Sequence, residues 1–418
     1  MPTFKKAGVF FALILFILSL FTAFASAADN LFYPGMRPMS MGGAFVAVAD
    51  DENGRNWNPA GMMYLPGFDL SLQFQGTLTS DLTETIDLMT KISKAENNGE
   101  DIFALDETQQ LVDNLSKDQK FGLRAGVAFD LVFPKGRKKK MAFGLGAYLQ
   151  GKGTLWRKAQ GLSLAGPFSM LNDQILYEVN ADLVPSFSGA FRFSNVVPTF
   201  VKGGKRDLSV GFTVKYALRG KATNEDNPYT LEEIIKGETY EGVKIDMDKE
   251  VTDLVNQFEE ESLGRSFGLD LGAITDLTDY MRAGLVIQDI FTNITYDTGA
   301  IQNEDIPINV RIGTAFYPIK YLRPEAQNKH FNVILSADMD NLNGDSGRRS
   351  GFADKLHMGA EMQFSLLSNL LFFHLRGGSN SGFPTYGATL HFFKIQFDYT
   401  VYGDEFAEYQ NAALSFVF

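Results

Sequence analysis

Residues 121–133 read Phe-Gly-Leu-Arg-Ala-Gly-Val-Ala-Phe-Asp-Leu-Val-Phe. Phe121, Leu123, Ala125, Val127, Phe129, Leu131 and Phe133 are apolar, and Gly122, Arg124, Gly126, Ala128 and Asp130 between them are small or charged. A period of two puts these sets on opposite faces of a β-strand. The pattern returns at Phe68 to Gln75, Met141 to Leu149, Tyr177 to Phe193, Leu208 to Leu218, Phe267 to Thr275 and Met281 to Ile294. It continues at Ile306 to Phe316, Phe331 to Met339, Leu356 to Phe364, Leu371 to Gly377, Tyr386 to Phe392, Ile395 to Val401 and Ala412 to Phe418, fourteen segments in all. An even number of strands near ten residues each is what a transmembrane barrel requires.

Alternation alone also suits a soluble sandwich, whose apolar faces turn inward. Three further features favour the barrel. Long gaps (80–119, 157–173, 221–264) alternate with short ones (134–140, 276–280, 367–370), as surface loops alternate with periplasmic turns. Charge segregates with them: residues 81–119 and 221–264 together carry a net −16, beyond the −12 of the whole chain. The short turns are basic, with Lys135, Arg137, Lys138, Lys139 and Lys140 in one and Lys202, Lys205 and Arg206 in the next. Such runs suit a solvated turn or contact with anionic headgroups. Lastly, the final strand ends Phe416-Val-Phe418, an alternating apolar strand of the kind that resembles the signal read by outer-membrane insertion machinery.

Composition agrees. The 418 residues include 37 Phe and 40 Gly but no Cys, which excludes a disulfide framework and a lipobox. Lys5 and Lys6 precede an apolar run from Gly8 to Phe24, and Ala25-Ser26-Ala27 is an A-x-A cleavage site, so residues 1–27 read as a signal peptide. That run is short for a membrane helix, which needs about 20 residues, and no second such run follows. The expected organisation is signal 1–27, an N-terminal hatch at 28–66, and a barrel at 67–418 with acidic surface loops at 80–119 and 221–264. Within the loops, Val251, Leu254, Val255 and Phe258, and separately Leu111, Val112 and Leu115, have helical spacing.

Met36 to Gly61 reads MRPMSMGGAFVAVADDENGRNWNPAG. Gly42, Gly43, Ala44, Ala47 and Ala49 permit close backbone packing, and Asn58-Pro59-Ala60-Gly61 is a turn in which Asn caps, Pro fixes φ and Gly accepts φ > 0. The stretch lacks a strand or helix period, yet is too apolar to be a free tail. It resembles the hatch of FadL-like outer-membrane proteins, the long-chain fatty-acid transporter family together with its PorV-like branch. Asn58-Pro59-Ala60 is similar to that family's hallmark, and the run from Met41 to Asp51 is closer to the PorV-like members. Arg376 to Ala388 and Gln396 to Tyr399 are similar to that branch's late strands. The resemblance implies a fourteen-stranded barrel closed by an N-terminal hatch, with Asn58, Pro59, Ala60, Gly42 and Gly43 at the gate. For transporters it implies release of hydrophobic molecules through a side opening at a kinked strand, and for PorV-like members it implies work in protein secretion.

Gly151 and Gly153 in strand three and Pro185 in strand four weaken ladder pairing, as a wall kink or as an ordinary bulge. By parity the lumen receives Arg124, Asp130, Lys215, Arg219, Asp270, Arg282, Arg311, Asp338, Glu361, Arg376 and Asp398, a mixed set that suits an interior holding a plug or a selectivity filter. No nucleophile motif accompanies the four His, so an enzyme is not expected. Asp338 to Asp345 misplaces its Gly and lacks the closing Glu of a calcium loop, and Gly144-Leu-Gly146 lies inside a strand, so neither metal nor cofactor is expected. Nothing points to nucleic acid. The expected partners are membrane lipids, a hydrophobic ligand and the insertion machinery, and in the secretion alternative also exported proteins. The expected place is the outer membrane of a diderm bacterium. The expected role is passive outer-membrane transport of hydrophobic small molecules, such as long-chain fatty acids, through a hatch-gated barrel. The alternative is a component of protein secretion or surface assembly, and a hydrophilic porin is disfavoured by the plug.

Overall fold

The computed structural model describes residues 35–418 apart from most of 80–120, the stretches 136–139, 159–173, 199–203, 224–228, 231–262, 298–301, 323–329, 344–350, 367–369 and 404–407, and positions 52 and 66. Its strands are β1 (Asp69–Thr79), β2 (Phe121–Lys135), β3 (Met141–Lys158), β4 (Gln174–Pro198), β5 (Lys205–Thr223), β6 (Leu263–Asp276) and β7 (Met281–Ile290). There follow β8 (Asn309–Phe316), β9 (Phe331–Met339), β10 (Leu356–Leu366), β11 (Leu371–Asn380), β12 (Phe383–Phe392), β13 (Ile395–Gly403) and β14 (Glu408–Val417). Each pairs antiparallel with its chain neighbour, and β14 returns to β1, with Leu72 opposite Phe416 and Phe74 opposite Leu414. Leu70 and Phe418 exchange backbone hydrogen bonds of 3.2 and 2.9 Å at this seam. The result is a closed fourteen-stranded antiparallel barrel, in which no edge is left to pair elsewhere.

The expected alternation appears with soluble logic inverted. Outward positions keep large apolar side chains exposed: Phe74, Leu149, Phe267 and Phe397 are 43–54% exposed. Inward positions bury polar ones: Glu361 and Asp398 are at 0% and Asp270 at 3%. A water-soluble fold would pay heavily for both, whereas a bilayer rewards an apolar outer wall. Of the eleven ionisable residues assigned inward by parity, ten are buried, and Arg124 is half-buried. Among the described residues no helix is long and apolar enough to cross a membrane, and the strands do the crossing.

The wall is uneven. β3, β4 and β5 run for 18, 25 and 19 residues, whereas β8 and β9 have 8 and 9. About 10 residues suffice to cross a bilayer, so the β3–β5 side stands taller. On the side of the short turns, aromatic pairs mark strand ends: Phe68–Phe133 at 5.4 Å, Phe331–Phe364 at 5.1 Å, and Tyr280–Tyr321 at 4.9 Å beside α3 (Pro318–Leu322). Such rings suit the boundary between hydrocarbon and water. In the first long loop, Leu88 and Ile92 sit on one helical face and are buried, and Lys91 pairs with Asp87 at 2.8 Å. The helical spacings at Leu111–Leu115 and Val251–Phe258 lie outside the described residues.

Candidate functional site: the inner segment and the lumen beside it

Gly35 to Leu65 lies inside the barrel. Its regular pieces are brief: α1 (Met36–Ser40), α2 (Gly54–Trp57) and a 3-10 turn at Pro59–Met63. Successive turns bond part of its backbone internally, such as Gly43 N to Pro38 O and Ala49 N to Phe45 O, and the groups left over find partners in the wall. The wall admits it by omitting side chains. Three glycine pairs stand directly opposite each other on neighbouring strands: Gly211–Gly272 (β5–β6), Gly284–Gly313 (β7–β8) and Gly359–Gly378 (β10–β11). A Cβ at Gly211 would lie 2.5 Å from Ala60 N, one at Gly284 2.6 Å from Val46 O, and one at Gly359 2.5 Å from Met41 O. The chain thus travels round the inner wall, from β10–β11 past β7–β8 to β5–β6. It touches backbone with backbone at each pair.

Wall side chains complete the bonding. His357 Nδ1 donates to Gly42 O at 2.8 Å, and Arg311 Nη2 to Gly43 O at 3.0 Å. Asp338 accepts from the backbone of Phe45 (2.6 Å) and Val46 (2.8 Å), and Arg282 Nη1 donates to Val48 O at 3.0 Å. Burial would raise the Asp340 carboxyl, but His357 Nε2 at 3.2 Å and the Arg311 charge outweigh it and hold it below the ordinary carboxylate range. Asn58 is fully buried. Its Nδ2 group faces Val46 O (3.0 Å), Ala273 O (3.3 Å) and Leu285 O (3.2 Å), and its Oδ1 caps Ala60 N (3.2 Å). Since Ala273 and Leu285 are paired across β6 and β7, this one amide ties the inner segment to two wall strands.

Charge locks both ends. Arg37 donates to Glu361 from Nη2 (2.6 Å) and to Asp50 and Asp51 from Nη1 (2.9 Å each), while Glu361 also accepts from Arg376 at 2.8 Å. Arg55 pairs with Asp130 and reaches Ser186 at 2.7 Å. Of the mixed inward charges, Asp130, Arg282, Arg311, Asp338 and Glu361 therefore anchor the inner segment.

Toward the long-loop side, Lys215 bridges Asp270 (2.8 Å) and Asp289 (2.6 Å), and Arg219 joins Asp182 (2.6 Å) to Glu304 (2.8 Å). Beside these ions lies an apolar inward cluster of Ala128, Tyr148, Val184, Ala217, Ile294, Tyr296 and Ile306. Two of its members, Ile294 and Ile306, flank a break in the wall. β7 stops at Ile290, Asp289 and Phe291 take φ of 60° and 63°, and pairing resumes only at Asn293–Tyr296. The β6–β7 register shifts between Leu269 and Leu271, and regular β7–β8 pairing ends at Gln288–Asn309. Gln288 Nε2 donates to Asn56 O at 3.2 Å, so the break adjoins the inner segment.

The residues named from sequence fall as follows. Asn58, Pro59, Ala60, Gly42 and Gly43 are together at the wall contacts, and the two glycines take φ of 65° and 79°. Gly151 and Gly153 face outward in ladders that run unbroken on both sides, opposite Ala125 and Ala181 and opposite Leu123 and Val179. Pro185 pairs with Ala147, and the β4–β5 register is the same at Leu183–Leu218 and Ser186–Lys215 on either side of it. The irregularities lie elsewhere, at Phe193–Val197 and in β7. Phe416 lies in the β1–β14 seam, with Phe418 at its end under Lys394 Nζ, 4.3 Å from the ring centre. Asp338, Asp340 and Asn343 of the calcium-like stretch bond Phe45, His357 and Ile308, while Gly344 and Asp345 lie outside the described residues. The glycine pairs leave only a parity signal in the sequence, since each glycine stands two residues from an inward position of the same strand.

No protein-family model and no curated protein sequence matches the chain. Among solved structures it is similar to the Ralstonia pickettii toluene transporter TbuX, at 14% identity over 93% of this chain and 98% of that one, with a TM-score of 0.48. A TodX monoaromatic hydrocarbon channel mutant is 11% identical over 92% and 97%, with a TM-score of 0.47. The CymD monoaromatic hydrocarbon channel is 14% identical over 93% and 98%, with a TM-score of 0.44.

Proposed function

We propose that this barrel carries hydrophobic small molecules across the outer membrane by passive diffusion, from the acidic-loop side to a sideways exit at the β7 break. One observation carries the reading: an apolar cluster beside the lumen's ion pairs ends at Ile294 and Ile306, where the wall ladder is interrupted. A polar solute gains nothing from that cluster. A hydrocarbon gains about 0.8 kcal/mol per methylene buried, so no nucleotide or gradient is required. The inner segment, bonded on all sides, deflects cargo away from the axis. Asn58, Pro59, Ala60, Gly42 and Gly43 form the gate: Asn58 and Pro59 hold that segment against β6 and β7 beneath the break, and Gly42 and Gly43 seat its other end against β8, β10 and β11.

The chain has no cysteine, so one engineered pair is unambiguous. Ile306 N donates to Thr292 O at 3.1 Å, which makes Thr292→Cys with Ile306→Cys a staple across the break. In proteoliposomes, flux of a long-chain alkane probe is expected to fall at least about tenfold on oxidation and recover on reduction, a barrier of roughly 1.4 kcal/mol. Flux no greater than in empty vesicles, for the unstapled protein, would defeat the transport reading in favour of an anchor for secretion or surface assembly.

A further inference from the structure

We infer that Asp289 is the residue that opens the wall at β7, a positioning residue that acts by turning inward to Lys215. The inference rests on the transport reading above and names the side chain on which its exit depends.

Residues 286–294 show what the break does to the strand. Val286 and Gln288 are buried on the inner face before it, and Thr292 and Ile294 are buried there beyond it. These four share one parity, so alternation has the same phase on both sides. Only Asp289 and Ile290 depart from it. A continuous strand would turn Asp289 toward lipid and Ile290 toward the lumen. Instead Asp289 joins Gln288 on the inner face, and Ile290 packs with the outward Leu269, Leu285 and Ile287. The two residues have exchanged faces, with the positive φ of Asp289 and Phe291 on either side of Ile290. Phe291, 77% exposed, stands outward at the break.

Charge gives the reason. The outer wall at this height is apolar, with Phe267 and Leu271 of β6 exposed. Toward the long loops the next outward charge on β6 is Arg265, paired with Asp297 at 3.0 Å and half-exposed. It lies roughly 17 Å along the strand from Asp270. A carboxylate turned outward at Asp289 would therefore stand in hydrocarbon, which is costly. Turned inward, it meets Lys215 Nζ at 2.6 Å. Lys215 belongs to β5 and reaches across β6, where it stands directly opposite Gly268. A Cβ there would lie 3.4 Å from Lys215 Cε and 2.6 Å from Thr292 Oγ1, so the glycine leaves the path clear. Asp270 pairs with Lys215 at 2.8 Å and accepts the Asp289 amide at 2.9 Å, taking that donor out of the ladder. The three ions bond one another rather than the inner segment, so their burial specifies the shape of the wall.

The test is Asp289→Val in the purified full barrel, which leaves Lys215 paired with Asp270, beside Asp289→Glu as the conservative variant. A triple variant, Lys215→Leu with Asp270→Leu and Asp289→Val, removes all three charges and orphans none. Unboiled and boiled electrophoretic mobility verifies closure. In both valine variants, amide exchange over 289–292 is expected to slow at least about tenfold as these residues join the ladder. Hexadecane flux in proteoliposomes should fall at least about tenfold with it. Asp289→Glu should keep wild-type exchange and most of the flux. Unchanged or faster exchange in both valine variants overturns the inference, since the backbone alone would then hold the bulge. Slower exchange with unchanged flux overturns it too, because the break would not be the exit. Failure of both to close, while Asp289→Glu closes, overturns it by making the ions part of barrel folding. If wild-type flux is no greater than in empty vesicles, the transport reading has failed, and exchange alone decides whether Asp289 sets the bulge.

Discussion

At the scale of single residues, the inner segment is held by few groups, each buried and each multiply bonded. Asn58→Asp keeps shape and removes both amide donors, setting a carboxylate against the carbonyls of Val46, Ala273 and Leu285. Leaving such groups unsatisfied costs about 1–3 kcal/mol each, more for a charge. We therefore expect the inner segment to loosen while the barrel still closes, seen as faster hydrogen exchange at Val48 and Ala60 with unchanged heat-dependent mobility. Failure to assemble would instead make Asn58 part of the barrel's folding core. Arg37→Met should cost more, about 3–5 kcal/mol in seating the segment, because it strips Glu361, Asp50 and Asp51 of a shared cation. Glu361→Gln in the same chain should recover part of that loss, and a double-mutant cycle measures how much.

At the scale of elements, strand existence was legible because alternation is local, and so was the polarity of each face. Each of the fourteen expected segments overlaps one strand, but Met281 to Ile294 runs past the end of β7 at Ile290, Ile306 to Phe316 starts before β8 at Asn309, and β4 runs from Gln174 to Pro198 where the pattern marked only Tyr177 to Phe193. What alternation cannot show is which inward positions touch each other. Gly211, Gly272, Gly284, Gly313, Gly359 and Gly378 all share parity with inward ionisables, yet their pairing across strands depends on register. The break in β7 was illegible for a different reason. No Gly or Pro marks it; the Asp289 backbone amide donates to Asp270 at 2.9 Å and Lys215 holds both acids, so distant side chains impose the bulge. Gly272→Val tests the seating reading. A strand tolerates valine, but its side chain would meet Asn58 and Pro59. We expect an intact barrel with residues 41–60 newly open to protease, and a protected segment would show that the glycine pairs are incidental.

At the scale of the molecule, closure depends on β14 meeting β1. Phe416 lies opposite Leu72 and Ile395, and Phe418 shares two backbone bonds with Leu70. We propose that these aromatics serve assembly, and expect Phe416→Ala with Phe418→Ala to lower the yield of folded barrel in membranes several-fold while leaving the spectrum of the folded fraction unchanged. An unaltered yield would confine both rings to the lipid boundary. The bilayer-facing character was readable from sequence; the side on which the wall opens was not, because it depends on where fourteen strands place one bulge.

The separation between the inner segment and its partners sets an order of events. Arg37 and Glu361 are 324 positions apart, and Phe45 and Asp338 are 293 apart. The wall bonds of residues 41–48 come from β7 to β10, so these residues are made well before the strands that hold them. Loop closure over such spans is entropically costly until strand pairing has brought the ends together. Seating the segment and sealing the seam should therefore be observed as one kinetic step: protection of Val46 and Val48 and the shift to the folded mobility should share a single rate.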